Sequence, residues 1–144
     1  MKIKKILSIV AILFFININA YSQSVGDEFV IGEEGYTLYY YVTSVEPNEV
    51  EISNYNFEGE NLIIPNVVTY EGVDYNVTAI GEYGFESCTT LETVTIKSTK
   101  IITIPDNCFN SCSNLHSISL PNSITEIGSS AFANTKLDQI VLPN

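Results

Sequence analysis

The sequence predicts a β-rich solenoid, a short repeat array of about three coils of 22–24 residues behind an N-terminal β-hairpin cap. Successive strands are expected to stack into a parallel sheet. Two observations lead to this prediction. Segments 77–99, 100–123 and 124–144 keep the same physical type of residue at seven aligned columns. Strand-forming Tyr, Phe, Val, Ile and Thr are abundant after residue 23, whereas long helix-forming stretches are absent there.

The seven columns predict the internal wall of the array. Each unit ends with apolar residues that alternate with polar ones, a pattern typical of a strand with one buried face. The columns, in chain order, are Val77, Ile101 and Ile124; Ile80, Ile104 and Ile127; Gly84, Cys108 and Ala131; Phe85, Phe109 and Phe132; Leu91, Leu115 and Leu137; Val94, Ile118 and Ile140; and Ile96, Leu120 and Leu142. Because one unit buries too little surface to fold alone, neighbouring units must stack.

The segment L-x-x-[VI]-x-[IL] in each unit is the leucine-rich repeat pattern. The fuller strings "SITEIGSSAFANTKLDQIVLPN" and "NVTAIGEYGFESCTTLETVTI" resemble the BspA-type leucine-rich repeats of bacterial surface proteins. The resemblance covers about 77–144, and it departs at Gly84 and Cys108, where Ala is usual, and at the incomplete, shortened third unit. It implies a non-enzymatic module for adhesion to, or contact with, host or neighbouring-cell molecules.

Residues 1–22 are predicted to be a secretory signal peptide. Three lysines precede the apolar run 6–16, whose eleven residues are too few to cross the ~30 Å core of a bilayer. Cleavage is expected after Ala20 or after Ser22, and the second position is slightly favoured. The prediction implies bacterial-type export to a secreted or cell-surface location, with no membrane insertion after cleavage.

Cleavage would leave a strongly acidic chain. Three of the six lysines are removed, no acidic residue is removed, and the net charge becomes 3 − 17 = −14. The remaining cations, Lys97, Lys100 and Lys136, are too few to neutralise a run of phosphates. This composition argues against a nucleic-acid partner and against docking on an anionic membrane surface.

Residues 23–76 are predicted to form the N-terminal β cap, because they read as short strands separated by turn-forming pairs. The pairs are Glu34-Gly35, Pro47-Asn48, Glu58-Gly59 and Glu71-Gly72. The tyrosine-rich run 36–41 has the bulk to cover the first coil. The alternative is that Tyr39 and Tyr41 form an exposed platform for a carbohydrate or a protein, so they are the secondary candidate site.

Cys88 and Cys112 occupy one column, so their Cα atoms are expected about 5 Å apart, within disulfide range. Stacked equivalents point the same way, however, which favours buried packing thiols over a disulfide. With Cys108 and the distant His116 they do not make a zinc set of four paired ligands. No cofactor and no metal are therefore expected.

No nucleophile elbow or phosphate-binding glycine loop occurs, and His116 has no recognisable catalytic partner. We therefore expect no enzymatic activity. The best placed binding surface is the outward face of the parallel sheet, which is rich in hydroxyl groups and suits an extracellular protein or glycan. Its candidate residues are Thr93, Thr95, Lys97, His116, Ser117, Ser119, Gln139 and Val141.

Three alternatives to this binding function stay open. The outward face can be an ordinary solvated surface. The chain can also be a truncated structural fragment, a cap plus first repeats, of a longer repeat protein with no binding activity of its own. Finally, Ile140 and Leu142 are expected beside an open sheet edge, which would permit edge-to-edge self-association.

Overall fold

The computed structural model describes residues 23–33, 36–53 and 57–140, and every regular element within these ranges is a β-strand. The predicted strand-rich class is confirmed. The predicted signal peptide at 1–22, the Glu34-Gly35 turn and Val141 lie outside the described residues. The strands are β1 (Glu28–Glu33), β2 (Tyr36–Val45), β3 (Asn48–Ser53), β4 (Asn61–Ile64), β5 (Val67–Tyr70), β6 (Val73–Ile80), β7 (Thr93–Ile96), β8 (Thr103–Ile104), β9 (Ser117–Ser119) and β10 (Glu126–Ile127).

The N-terminal part forms a five-stranded sheet in the order β1-β2-β3-β6-β5. Neighbouring strands are antiparallel except for β3 and β6, which are parallel. Along β2 the side chains alternate, so that Leu38, Tyr40 and Val42 are buried. Phe29 stacks on Tyr40 and on Tyr70, with ring centroids 5.4 and 4.4 Å apart. This aromatic cluster is the core of the N-terminal sheet.

Parallel pairing joins the predicted repeat units. Strands β4, β7 and β9 form one parallel sheet in that order, and β8 and β10 form another. In the first sheet Leu62 aligns with Val94 and Val94 with Ile118. In the second, Ile104 aligns with Ile127, as the column analysis predicts. Residues of one sequence column thus lie side by side on adjacent units.

The phenylalanine column forms a stack of rings through the core. Phe85 and Phe109 lie with centroids 5.5 Å apart and ring planes 8° apart. Phe109 and Phe132 repeat this geometry at 5.5 Å and 6°. At the other end Phe57 meets Phe85 edge-on at 6.0 Å, and Tyr36 covers Phe57 at 4.7 Å. Each repeat therefore adds one ring to a continuous aromatic column.

Phe85, Phe109 and Phe132 each have a residue in the left-handed region, where non-glycine side chains are uncommon, two positions before them and two positions after them. These residues are Tyr83, Ser87, Asn107, Ser111, Ser130 and Asn134, with φ between 53° and 61°. The alternating backbone directs every second N–H group to the next unit. The N–H of Phe85 donates to the Cys108 carbonyl at 2.9 Å, and that of Phe109 to the Ala131 carbonyl at 2.8 Å.

The stacked columns begin earlier than the predicted boundary at 77. Strand β4 lies inside the predicted cap, yet it pairs in parallel with β7. Val50 and Ile52 likewise pair with Val77 and Ile80. The reason that sequence alignment missed this unit is its spacing. Phe57 and Leu62 are five positions apart, whereas Phe85 and Val94, which align with them in space, are nine positions apart.

Candidate functional site

The outward surface of β4, β7 and β9, here called the sheet face, consists of two rows of side chains. The parallel register aligns Asn61 with Thr93 and Thr93 with Ser117 in the first row. The second row contains Ile63, Thr95 and Ser119. The residues between these positions, such as Leu62 and Val94, point inward and are buried. Period-two alternation therefore separates a polar outer surface from the core.

Hydrogen bonding orders the first row. The Thr93 hydroxyl donates to Oδ1 of Asn61 at 2.6 Å, which joins two adjacent strands through their side chains. In the second row Ile63 is 43 % exposed beside the partly buried Thr95, whereas Ser119 is exposed. The sheet face thus combines hydroxyl and amide groups with one exposed aliphatic side chain, a composition that can contact both polar and apolar parts of a ligand.

Charged groups lie at the two ends of the sheet face. Glu60 and Glu92 are exposed directly before β4 and β7, and His116 is exposed directly before β9. The N–H of Glu92 donates to the Glu60 carbonyl at 2.7 Å, and the N–H of His116 to the Glu92 carbonyl at 3.0 Å. Lys97, also exposed, follows β7 at the opposite end. The hydroxyl rows therefore lie between an acidic end and a lysine.

The ring of His116 has a defined orientation. Its Nδ1 lies 3.1 Å from the Asn114 carbonyl, which accepts a hydrogen bond from this nitrogen whenever the nitrogen carries a proton. The imidazole is exposed to solvent. The ring borders the sheet face directly before β9.

The structure places the predicted site residues as follows. Thr93, Thr95, Ser117 and Ser119 share the sheet face in register, and Lys97 and His116 border it. Gln139 is exposed, but no strand pairing joins it to Ser117 among the described residues. Val141 belongs to the residues outside the description, so its predicted position in the second row stays a prediction.

Sequence reasoning missed Asn61 and Ile63, which the structure adds to the sheet face. The signal was the string "NLIIP", which has the alternation of a repeat strand. It lies within residues 23–76, which were predicted to be the cap because they read as short strands separated by turn-forming pairs. Only the parallel pairing of β4 with β7 brings Asn61 and Ile63 beside Thr93 and Thr95.

The secondary candidates Tyr39 and Tyr41 lie on one face of β2, opposite to the buried Tyr40. Tyr39 is 36 % exposed and Tyr41 is partly buried. Of the tyrosines in the predicted capping run, Tyr36 and Tyr40 make the inward ring contacts, to Phe57 and Phe29. The alternation of the strand therefore divides the run into an inward pair and an outward pair.

Glu51 faces the same side of the N-terminal sheet as Tyr41, its partner in the register of β2 and β3. Its Oε1 lies close to Gly81, where an added Cβ would be only 2.9 Å from it. Burial raises the pKa of the Glu51 carboxyl above its ordinary value of 4.5, and the nearby negative charge of Glu82 raises it further. The ionised carboxylate is therefore disfavoured in the folded state.

Replacing Glu51 by Gln should make the protein more stable at neutral pH. A carboxyl group with a raised folded-state pKa destabilises the fold above that pKa and stops doing so below the unfolded value of 4.5. The wild-type stability should fall as the pH rises between the two values, and E51Q should lack that fall. Because solvent screens this half-buried group, the gain at pH 7 should be about 0.5 kcal/mol or less.

Urea unfolding of the wild type and E51Q at several pH values from 4 to 8 measures this effect, with E82Q as a second variant that removes only the neighbouring charge. E82Q should show part of the gain. Parallel stability curves for the wild type and E51Q across this range would contradict the prediction.

Cys88, Cys108 and Cys112 are buried free thiols. The Cys112 thiol donates to the Phe85 carbonyl at 3.0 Å. Its hydrogen bond with Cys88, together with burial, raises the pKa of Cys112, and burial raises the pKa of Cys108 well above its ordinary value. Buried and neutral, these thiols act as small packing residues of the core.

Residues 23–33, 36–53 and 57–140 contain no group of three or more His, Cys, Asp and Glu side chains arranged to hold a metal ion. Within the same ranges, no helix has the length and apolar character needed to cross a membrane.

Parallel strands at L-x-x-[VI]-x-[IL] segments, stacked side by side with a phenylalanine column, define a leucine-rich repeat protein. The family model described as "BspA type Leucine rich repeat region (6 copies)" matches residues 31–144. The chain belongs to this family, as its sequence resemblance predicts. The matched region begins well before residue 77, and it includes β4. A comparison with curated proteins found no match.

The chain is also similar to solved leucine-rich repeat structures. A protein from Bacteroides ovatus ATCC 8483 is 21% identical with a TM-score of 0.44 over 86% of this chain and 35% of that one. A leucine-rich cell surface protein from Faecalibacterium prausnitzii A2-165 is 20% identical, with a TM-score of 0.33 over 84% of this chain and 49% of that one. The pneumococcal vaccine antigen PcpA is 15% identical, with a TM-score of 0.35 over 78% of this chain and 49% of that one. The chain thus spans half or less of each of these proteins.

Proposed function

We propose that this protein is a non-enzymatic interaction module at the cell surface or in the secreted fraction, where its short solenoid binds a protein or a glycan through the sheet face. The observation that carries the proposal is the aligned pair of rows, Asn61, Thr93 and Ser117 beside Ile63, Thr95 and Ser119. Family membership supports a repeat module, and the secreted or surface location follows from the predicted signal peptide together with the bacterial surface-protein resemblance.

The chemistry of the sheet face suits a ligand that is recognised by many small contacts. The outward side chains of β7 and β9 are short and end in hydroxyl groups. They lie close to the backbone, so they lose little conformational entropy on binding. Ile63 adds an exposed aliphatic contact at the edge strand. Ser117 and Ser119 are exposed and Thr93 and Thr95 are partly exposed, so a peptide or a sugar chain lying along the rows can meet several hydroxyl groups at once.

Changing Thr95 and Ser119 together to Glu should abolish binding through the sheet face. Two carboxylates in the second row would repel an acidic ligand and place hydrated charges against a neutral protein surface or glycan. The loss should exceed about tenfold in affinity, since charge introduced at an interface costs several kcal/mol. The measurement is binding of the chain to an array of extracellular-matrix proteins and glycans, followed by titration of each ligand that binds.

The matched control is the double variant Thr43→Glu and Ser113→Glu, which adds the same charges at exposed positions away from the sheet face. It should bind as the wild type does. If binding survives the Thr95 and Ser119 changes but is lost when Tyr39 and Tyr41 are altered, the tyrosine face of β2 is the site instead. Equal losses in the two double variants would show a general effect of charge.

The second candidate function is structural. In this alternative the chain serves as a cap and first repeats within a longer repeat protein and binds no ligand by itself. The observation that favours it is the incomplete cover of the last columns, where Ile118, Phe132 and Leu137 are only partly buried. Absence of binding to every protein and glycan on the array would favour this candidate over the first.

A further inference from the structure

We propose that the outward side of β1, β2 and β3 binds a segment of a partner polypeptide that is rich in arginine or lysine. This surface, here called the tyrosine face, consists of Val30, Tyr39 and Tyr41 together with the carboxyl groups of Glu28 and Glu51. It belongs to the N-terminal sheet and shares no residue with the sheet face, so the two surfaces can be tested separately.

The strand register places aromatic and acidic side chains of the tyrosine face side by side. Tyr41 pairs with Glu28 of β1 on one side and with Glu51 of β3 on the other. Directly opposite residues of antiparallel strands share one face, with Cβ atoms about 4.5–5.5 Å apart. Tyr39, two positions earlier on β2, lies diagonally from the same two carboxyl groups. A cation held by either carboxylate can therefore contact a tyrosine ring.

The tyrosine face also has an exposed apolar part. Val30 pairs with Tyr39, and the two side chains are 44 % and 36 % exposed. Glu28 is exposed as well, and Glu51 is partly exposed. A turn borders the face beside β3, since an added Cβ on Gly81 would lie 2.9 Å from the Glu51 carboxyl group. The aliphatic stem of an arginine or lysine can pack on this surface while its charged end reaches a carboxylate.

The distribution of charge along the chain indicates which partner fits the tyrosine face. Of the seventeen acidic residues only Asp106, Glu126 and Asp138 follow residue 96, so fourteen lie between residues 23 and 96. The same stretch contains no Lys, Arg or His. The carboxylates of the tyrosine face thus have no cationic side chain on their own sheet. A cationic partner is the occupant whose charge complements this surface.

Glu51 is the position where such a cation gains most. Burial and the negative charge of Glu82 raise the pKa of the Glu51 carboxyl, so its ionised form is costly in the unbound protein. A guanidinium or ammonium group beside Glu51 would favour the ionised form and offset the repulsion from Glu82. The partner's cation is therefore expected beside Glu51, with cation–π contacts from the neighbouring tyrosine rings.

Other occupants fit the tyrosine face less well. A second copy of the chain presents the same acidic sheet, so two tyrosine faces would repel each other. Nucleic acids and anionic membrane surfaces are repelled for the same reason. A neutral glycan can stack on the tyrosine rings, but it does not compensate the charge of the two carboxylates. A basic polypeptide segment satisfies both the rings and the carboxylates.

A labelled synthetic peptide of about ten residues, with arginine and serine in alternation, is the probe. The matched control peptide carries citrulline, which has a similar shape and no charge, in place of every arginine. In about 150 mM salt, which screens long-range attraction, the arginine peptide should bind the chain at concentrations up to about 1 mM. The citrulline peptide should bind about tenfold or more weakly. Fluorescence anisotropy measures both affinities, and equal binding of the two peptides, or no binding of the arginine peptide, would overturn the proposal.

The double variant Glu28→Gln and Glu51→Gln should weaken binding of the arginine peptide about fivefold or more, because it removes both charge pairs. Glu51→Gln is expected to be at least as stable as the wild type, so this loss would not come from unfolding. The matched control, Glu60→Gln with Glu92→Gln, removes the same charge at the acidic end of the sheet face and should change binding less than about twofold. Equal weakening by the two double variants would show a response to net charge alone and would contradict the proposal.

The role of the tyrosine rings has its own test. Tyr39→Thr should weaken binding of the arginine peptide about two- to fivefold, the usual effect of losing a cation–π contact at an exposed site. Tyr39→Phe keeps the ring and should bind as the wild type does, and circular dichroism checks that both variants are folded. Wild-type affinity in Tyr39→Thr would count against the proposal. Binding of a neutral oligosaccharide that depends on Tyr39, without binding of the arginine peptide, would make the face a glycan site and would overturn it.

Discussion

Replacing Phe109 by Ala is expected to lower the free energy of unfolding by about 3–5 kcal/mol. The ring is completely buried and lies between the parallel rings of Phe85 and Phe132, each 5.5 Å away. Its removal leaves a cavity at the middle of the aromatic column. Neighbouring rings cannot collapse into the space, because the hydrogen-bonded turns that carry them hold them apart.

Phe132→Ala is the matched control, since it removes the same ring from the partly buried end of the column. Phe132 has one stacked neighbour where Phe109 has two, so its loss should cost roughly half as much. Urea unfolding followed by circular dichroism measures both changes. Equal losses for the two variants would show that the column contributes no stacking energy of its own.

Replacing Gly128 by Ala is expected to destabilise the fold by about 1–3 kcal/mol, the usual cost of overpacking. An added Cβ would lie 2.6 Å from the Asp106 nitrogen and 2.7 Å from the Pro105 carbonyl carbon, and it would also meet Oδ1 of Asp106. The Asp106 side chain is held by the N–H of Ser129, which donates to that Oδ1 at 2.7 Å, and the backbone is held by the N–H of Cys108, which donates to the Pro105 carbonyl at 3.3 Å. The units would have to separate locally to admit a methyl group.

Gly32→Ala provides the control for this substitution. Gly32 lies in β1, its φ is not in the left-handed region, and no heavy atom would lie within 4 Å of an added Cβ. The variant should be as stable as the wild type or more stable by about 0.4–1 kcal/mol, because Ala restricts the unfolded chain. Thermal unfolding of the two variants separates the effects. If both lost stability equally, the close approach of Asp106 to Gly128 would not be the cause.

The repeat columns were the part of the fold that could be predicted best. Column residues such as Ile104 and Ile127 align in the structure, and the phenylalanines stack as successive rings. The prediction succeeded because burial selects residue type, and the same burial recurs at a fixed spacing in each unit. The outward residues of β7 and β9 followed from the same alternation.

The first stacked unit could not be predicted in this way. Its phenylalanine, Phe57, and its strand β4 are separated by a shorter spacing than in later units, and the hairpin of β5 and β6 follows before the next unit begins. Column alignment needs constant spacing, whereas backbone pairing does not. Asn61 and Ile63 therefore entered the candidate site only through the register of β4 and β7.

The hydrogen bonds between the turns of successive units could not be predicted from the sequence either. Tyr83, Ser87 and Ser111 are in the left-handed region, although their residue types do not favour it. The inter-unit hydrogen bonds of the turns offset that local cost, and those bonds exist only once neighbouring units are in place. Local propensity contains no information about such contacts.

By itself, the sequence determined which residues recur, which of them are apolar, and hence that strands stack in a leucine-rich repeat with polar residues outward. The tertiary structure decided where the stack begins and how Asn61 joins Thr93. The physical reason is that burial imposes a periodic pattern on the chain itself. Register and hydrogen-bond polarity arise only between units that are distant along the chain.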